Sequence, residues 1–250
     1  MELNYFSSGP RHRVLAAVLK AGHVVRGVFV TEAGRWPKVE ATVDLARQHG
    51  LPVRVIRRQD LDDLSTTLAG QICRSAGFAY LFPPTFIASV RLCLNVHGTL
   101  LPRYAGARTL NWVLESGDTM SGVTVHQVDA GIDSGPILLQ RTFPLSVFDT
   151  ARSLARKTLE FEPGVVVEAL ALYESGRATF SPQDLSGVTR YPDRIPEHSE
   201  IDPGHPLRDL YDKIRAADPE RFPAYFYVAG ERVCVKLWRP EKSTYEADMI

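Results

Sequence analysis

Along the first half of the chain the apolar residues switch repeatedly between two spacings. Residues 2–6 suit a short strand, and residues 11–21 place Val14, Leu15, Val18 and Leu19 on one face of a helix. Residues 23–30 are rich in β-branched side chains and predict a buried strand. Residues 39–49 are amphipathic, with Gly50 standing where a helix would stop. A strand is expected at 53–56 and a helix over 61–73. A short apolar run at 78–81 is closed by Pro83 and Pro84, and a strand over 92–97 runs into polar residues. Strand and helix patterns in alternation predict an α/β fold, an open and mostly parallel sheet with helices on both faces. Ligands of such sheets sit beyond the carboxyl ends of the strands.

The second half predicts a helix over 105–116, a turn at Gly117 and Asp118, and strands over 122–128 and 136–141. Asp149 or Thr150 is placed to cap a helix running to about residue 173, which Pro163 is expected to break or kink. Residues 180–206 hold Pro182, Pro192, Pro196, Pro203 and Pro206 with little periodicity, the pattern of a linker that wraps a surface. A helix at 207–217 follows, then strands at 224–228 and 232–238 paired as a hairpin about Ala229 and Gly230. The organisation expected is a main domain over 1–178, then a linker and a small C-terminal helix and β-hairpin extension over 179–250.

Composition narrows this picture in four ways. A chain of 250 residues, 44% of them hydrophobic, suffices for one sizeable core plus a small appendage. Lys+Arg and Asp+Glu both count 29, so the total shows no basic excess for nucleic acid. No apolar stretch of about 18 residues occurs, so no membrane span is expected, and the first ten residues show no signal-peptide pattern. Cys73, Cys93 and Cys234 lie far apart in sequence with no CxxC, which argues against a zinc or other metal site and for a reducing compartment, the cytoplasm by default.

Three clusters carry candidate chemistry. Asn95 and His97 stand two apart at the end of a predicted strand and therefore share a face. An amide able to donate to an oxyanion, beside an imidazole able to take a proton, suits acyl transfer. The plainer reading is that both cap the strand by bonding loop backbone. In the second cluster, Asp129, Gly131, Asp133 and Gly135 interleave in a tight loop after an apolar strand. The glycines allow close backbone approach to a ligand, and Asp133 is placed to orient His97. Its alternative is an exposed turn, and EF-hand spacing is absent. The third cluster runs from Thr99 through Arg103 and Tyr104 to Arg108, and puts cations and an aromatic ring over the site; its alternative is an ordinary surface loop. His126, on the strand before the glycine loop, is expected to be a satisfied strand histidine rather than a site residue.

The segments Asn95-Val-His97-Gly-Thr-Leu-Leu-Pro102-Arg-Tyr104-Ala-Gly106 and Gly122-Val-Thr-Val-His-Gln-Val-Asp129-Ala-Gly-Ile-Asp133-Ser-Gly135 together resemble the N10-formyltetrahydrofolate-dependent formyltransferases. Order and spacing agree with that family, with 36 positions from His97 to Asp133. The resemblance covers about residues 1–175. It implies a Rossmann-like catalytic domain in which Asn95, His97 and Asp133 hold the catalytic positions. It places the folate co-substrate against Ala79, Tyr80, Leu81, Phe82 and Pro83 on one side and Val125, Val128, Asp129, Ala130 and Gly131 on the other. One departure is Gly98, where the family often has Pro.

Members of the family differ mainly in the amine they formylate. Methionyl-tRNA formyltransferases resemble the catalytic half but carry a larger C-terminal β-domain, whereas 70 residues follow Phe180 here, with a net charge of −3. The tail, through Ile214-Arg215-Ala216, Phe222-Pro223-Ala224 and Gly230-Glu231, is similar to sugar N-formyltransferases. The expected acceptor is therefore a nucleotide-linked amino sugar, contacted by Thr99, Arg103, Tyr104 and Arg108. Alternatives left open are formylation of methionyl-tRNA or another amine, hydrolysis of the formyl donor, and a non-catalytic folate-binding protein. A homodimer is also expected by resemblance, and the hairpin's apolar faces suit either its contact or packing on the main domain.

Overall fold

In the first strand, Glu2–Ser7, successive side chains enter opposite layers. Leu3 and Tyr5 join one apolar cluster and Phe6 the other, as strand geometry requires. The computed structural model describes residues 1–31, 39–218 and 220–241. In chain order it runs β1 (Glu2–Ser7), α1 (His12–Lys20), β2 (Val24–Thr31), α2 (Glu40–Gln48), β3 (Val53–Ile56), α3 (Asp60–Thr67), β4 (Ile72–Ala76), α4 (Pro84–Ser89) and β5 (Leu92–His97). It continues with α5 (Leu110–Glu115), β6 (Met120–Gln127), β7 (Ile137–Pro144), α6 (Ala151–Glu174), α7 (Leu207–Ala216), β8 (Ala224–Val228) and β9 (Glu231–Val235).

The first seven strands form one sheet in the order β3-β2-β1-β4-β5-β6-β7. Pairings from β3 across to β5 are parallel, while β6 and β7 pair antiparallel at the far edge. On one face Val14, Leu15 and Val18 of α1 pack with Val165, Val166, Ala169 and Leu170 of α6. On the other, Leu61 and Leu64 of α3 and Phe86 of α4 pack with Phe6, Phe29 and Phe82. The α/β architecture with both faces covered is as the periodicity predicts.

Several elements differ from expectation. The helix expected over 61–73 stops at Thr67, and Ile72 and Cys73 enter the sheet as β4. β4 reads Ile-Cys-Arg-Ser-Ala and is buried throughout, so it shows neither an apolar run nor an alternation that would mark it as a strand. The apolar run at 78–81 is a loop whose Phe78 packs edge-on against Phe6, at 5.4 Å between ring centroids. The helix expected from 105 begins only at Leu110, because Gly106 (φ 103°) and Arg108 (φ 56°) lie in the left-handed region and break helical geometry. Helix α6 runs unbroken through Pro163. Its start is closed by Thr150 and Ser153, each side chain bonding the other's backbone N–H, at 3.3 and 2.9 Å. Cys73 and Cys93, distant in sequence, are partners in the β4–β5 register. Burial pushes the Cys73 thiol up to about 12 and raises Cys93 also.

After α6 the chain meets the sheet's β7 edge at Ser181, opposite Ile137, and runs through residues 181–201 before reaching α7. Helix α7 docks on α5 and the start of α6, where buried Arg215 donates to the Asp149 carbonyl at 3.2 Å. Strands β8 and β9 form an antiparallel hairpin turning at Ala229 and Gly230, both at positive φ. Among the described residues no helix is long and apolar enough to cross a membrane.

Candidate active site

Strand order reverses at β1 and β4, and the carboxyl ends of those strands open into a crevice, where an α/β sheet is expected to bind ligands. The crevice has a volume of about 500 Å³, within the range of small-molecule sites. Its walls come from residues 9–11 before α1, from 77–82 after β4, from 106–110 before α5 and from 128–133 after β6. Asn95, His97 and His126 lie at its floor.

Register explains how these side chains meet. Asn95 of β5 stands opposite Ser75 of β4 and His126 of β6. The loop after β6 then turns back over them at Asp133, whose φ of 52° is a left-handed conformation unusual for a residue with a side chain. Asp133 Oδ2 lies 3.4 Å from His97 Nδ1 and accepts from the Gly106 N–H at 2.9 Å. Its Oδ1 lies 3.4 Å from both Asn95 Nδ2 and His126 Nε2. Asn95 Nδ2 is also 3.2 Å from His126 Nε2. Burial alone would push the Asp133 carboxyl up. Once they are protonated, its neighbours His97 and His126, with the Gly106 N–H, outweigh that and hold it well below the usual carboxylate range.

Each imidazole has its second nitrogen on a backbone carbonyl. His97 Nε2 lies 2.8 Å from the Tyr104 oxygen, and His126 Nδ1 lies 2.9 Å from the Gln127 oxygen. Carbonyls only accept, so these two nitrogens carry hydrogens, and the nitrogens facing Asp133 are His97 Nδ1 and His126 Nε2. The other carboxylate of the loop is structural. Asp129 Oδ1 accepts from the Gly131 N–H at 3.1 Å and from Ser134 Oγ at 2.8 Å, which closes the turn. Among the described residues no group of three His, Cys, Asp or Glu side chains is arranged to hold a metal ion.

The structure thus brings Asn95, His97 and Asp133 together. Of the residues expected against folate, Ala79, Tyr80, Leu81, Phe82, Val128, Asp129, Ala130 and Gly131 line the crevice. Pro83 precedes α4 and Val125 is buried in the sheet core, both outside the lining. Arg108 lines the crevice, whereas Thr99, Arg103 and Tyr104 lie behind its wall. Thr99 is buried, with its hydroxyl on the Arg103 and Tyr104 carbonyls at 3.4 and 3.3 Å. Arg103 and the Tyr104 hydroxyl are both bonded to Asp118, at 3.0 and 2.9 Å. Gly98, the departure from the family pattern, fits tightly: a Cβ there would stand 2.9 Å from Thr158 Cγ2. His126 is the residue whose place sequence reasoning misjudged, and only the β5–β6 pairing, which sets it opposite Asn95, could have found it.

A switch-point crevice ending in an amide, two imidazoles and one ionised carboxylate defines an α/β group-transfer site. The model of the formyl transferase family matches residues 17–170, and the chain belongs to that family. Its members are enzymes that move a formyl group and use N10-formyltetrahydrofolate as donor. Over 236 residues the chain is 32% identical to the methionyl-tRNA formyltransferase of Chromohalobacter salexigens, covering 91% of this chain and 72% of that one. It spans 63% of the length of a methionyl-tRNA formyltransferase from a Synechococcus strain. A sugar N-formyltransferase from Shewanella sp. FDAARGOS_354 has the same fold, with a TM-score of 0.75 at 17% identity over 97% of this chain and 99% of that one. So does WlaRD, a sugar 3N-formyl transferase solved with dTDP and 5-N-formyl-tetrahydrofolate, with a TM-score of 0.69 at 21% identity over 86% of this chain and 78% of that one.

Proposed function

We propose that the protein transfers the formyl group of N10-formyltetrahydrofolate to the amine of a nucleotide-linked amino sugar. The observation that carries formyl transfer is the meeting of Asn95, His97 and Asp133, each within 3.4 Å of another, at the floor of the crevice. The crevice fits the donor. Tyr80, Leu81 and Phe82 line it with largely apolar side chains, and residues 128–131 line it as well. When bound, the folate supplies the formyl carbon. Asn95 Nδ2 donates toward the negative charge that builds on the formyl oxygen, a contact of about 2.7–4 kcal/mol in comparable sites. The Tyr104 carbonyl holds the His97 hydrogen on Nε2 and leaves the lone pair on Nδ1. As the amine nitrogen bonds the formyl carbon, its proton is taken at His97 Nδ1, beside Asp133 Oδ2; the bond from that carbon to folate N10 then breaks, and N10 leaves with a proton, as tetrahydrofolate.

For the acceptor, the support is the likeness in fold to sugar N-formyltransferases over nearly their whole length, together with Arg108, which lines the crevice; Arg11, also at its wall, is paired with the buried Glu162 at 2.8 Å. Methionyl-tRNA is the second reading, favoured by the 32% identity to the Chromohalobacter enzyme. Against it stands the net charge of −3 over residues 181–250, which does not favour a nucleic-acid surface. The exposed Tyr227, Val228 and Trp238 at the hairpin support self-association there, which analytical ultracentrifugation tests. The deciding experiment offers the purified protein N10-formyltetrahydrofolate with a panel of nucleotide amino sugars, with formylatable tRNA, and with no amine. Tetrahydrofolate released only with an amino sugar is the expected result. Release with tRNA alone, or without any amine, overturns the acceptor assignment.

A further inference from the structure

The proline-rich segment that follows α6 is bonded to both loops that meet at His97 and Asp133. It joins the sheet edge at Ser181, which exchanges two backbone hydrogen bonds with Ile137, at 2.8 and 2.9 Å. Two residues on, Gln183 Nε2 donates to the carbonyls of Asp133 and Gly135, at 2.8 and 2.7 Å. Two carbonyls can be satisfied only by the NH₂ end, so the amide has one orientation, and it grips the Asp133 loop from outside. Further along, Thr189 takes hold of the other loop. Its Oγ1 accepts from the Tyr104 N–H at 2.8 Å and its carbonyl accepts from the Ala105 N–H at 3.1 Å.

These bonds act on the residues that orient the site. The Tyr104 carbonyl holds His97 Nε2, and the N–H of Gly106, two residues later, holds Asp133 Oδ2. Tyr104 (φ 57°) and Asp133 (φ 52°) both stand in the left-handed region, which residues with side chains keep only where their surroundings fix it. The strap is pinned beyond them as well. The Tyr191 ring lies stacked between those of Tyr104 and Trp112, at 5.5 and 5.0 Å, and Trp112 Nε1 donates to the Pro192 carbonyl at 3.1 Å.

We infer that Gln183 and Thr189 are positioning residues. The strap over residues 181–192 holds the 102–106 loop and the 129–135 loop against each other, and so keeps the His97 lone pair on Nδ1 beside Asp133. This inference rests on the formyl-transfer reading for its consequence in catalysis, but its geometric half stands apart from that reading.

Three variants of the full chain test it. Thr189→Val keeps the shape and removes the acceptor for the Tyr104 N–H, while Thr189→Ser keeps the acceptor. Gln183→Met keeps the length and removes both donors. Formyl transfer is measured across pH, binding of 5-formyltetrahydrofolate by calorimetry, and the His97 ring by ¹⁵N NMR. In Thr189→Val and Gln183→Met, kcat is expected to fall about 10- to 100-fold, the loss seen when a remote change misplaces a reacting group. The pH profile of kcat shifts, folate affinity stays within about twofold, the ¹⁵N pattern leaves the single Nε2–H form, and Thr189→Ser restores all three. Wild-type kcat, pH profile and ¹⁵N spectrum in both disruptive variants would overturn the inference, as would a Thr189→Ser protein as impaired as Thr189→Val. A wild-type chain that moves no formyl group, yet shows the ¹⁵N change in Thr189→Val, would remove the transferase reading while supporting the strap's hold on His97.

Discussion

The two ends of the crevice are assembled differently. The outer end, where we propose that folate binds, is made by residues 77–82 and 128–131, each following directly from a strand of the sheet. The inner end depends on partners far along the chain. Tyr104 is held by Thr189, 85 positions later, and the Asp133 loop by Gln183, 50 positions later. A wall built on strand ends takes its place from the sheet alone, which suits binding. A loop held by a strap takes its place from partners distant in sequence, which suits setting the angle of one imidazole.

That contrast predicts a division between kcat and KM. At the inner end, Asn95→Ala is expected to lower kcat by about 10²–10³-fold and His97→Ala by at least about 10²-fold, with binding of 5-formyltetrahydrofolate nearly unchanged in both. Steady-state kinetics beside calorimetry checks this. A near-normal kcat in either variant, or a matching loss of folate affinity, would erase the distinction between the two ends. At the outer end, Tyr80→Ala removes a crevice-lining ring and is expected to raise KM for the folate about 10-fold, the scale of one lost aromatic contact, with kcat within about threefold. A fall in kcat larger than the rise in KM would place the chemistry nearer Tyr80 than the geometry does.

The same contrast accounts for what could be read from the chain in advance. Strand β5 and the glycine loop announce themselves through local pattern, because strand ends and tight turns have short-range chemistry, but pattern alone favours plain strand caps for Asn95 and His97, and the family resemblance is what singles out those two and Asp133. His126 was misjudged because its role follows from an antiparallel partner, and nothing within β6 states which strand lies beside it. Strand β4 was lost inside an expected helix for want of a period in a segment buried on both faces. Gln183 and Thr189 sit in a segment without periodicity, where proline content predicts a wrapping path but not which loop each side chain reaches. Arg103 and Tyr104 show the converse: their residue types suit a diphosphate, yet Asp118 engages both.

The smallest effect concerns stability, and it separates the two carboxylates of the 129–135 loop. Asp133 is held below the ordinary carboxylate range by His97, His126 and the Gly106 N–H against the opposing pull of burial, whereas Asp129 serves to close the turn. A carboxyl whose folded pKa is depressed stabilises the fold at every pH above its unfolded value, near 3.9, and that contribution drains away as pH falls from there toward the folded value. Asp133→Asn lacks it at all pH. Between pH 8 and 5 the difference in unfolding free energy between the wild type and Asp133→Asn should therefore hold level as far as Asp133 is concerned, and below about pH 4 it should narrow. Urea melts of both proteins across that range measure it. A gap that stays constant or widens on acidification would mean that the donors around Asp133 do not stabilise its charge, and the inner end would then be no more tightly organised than the outer wall.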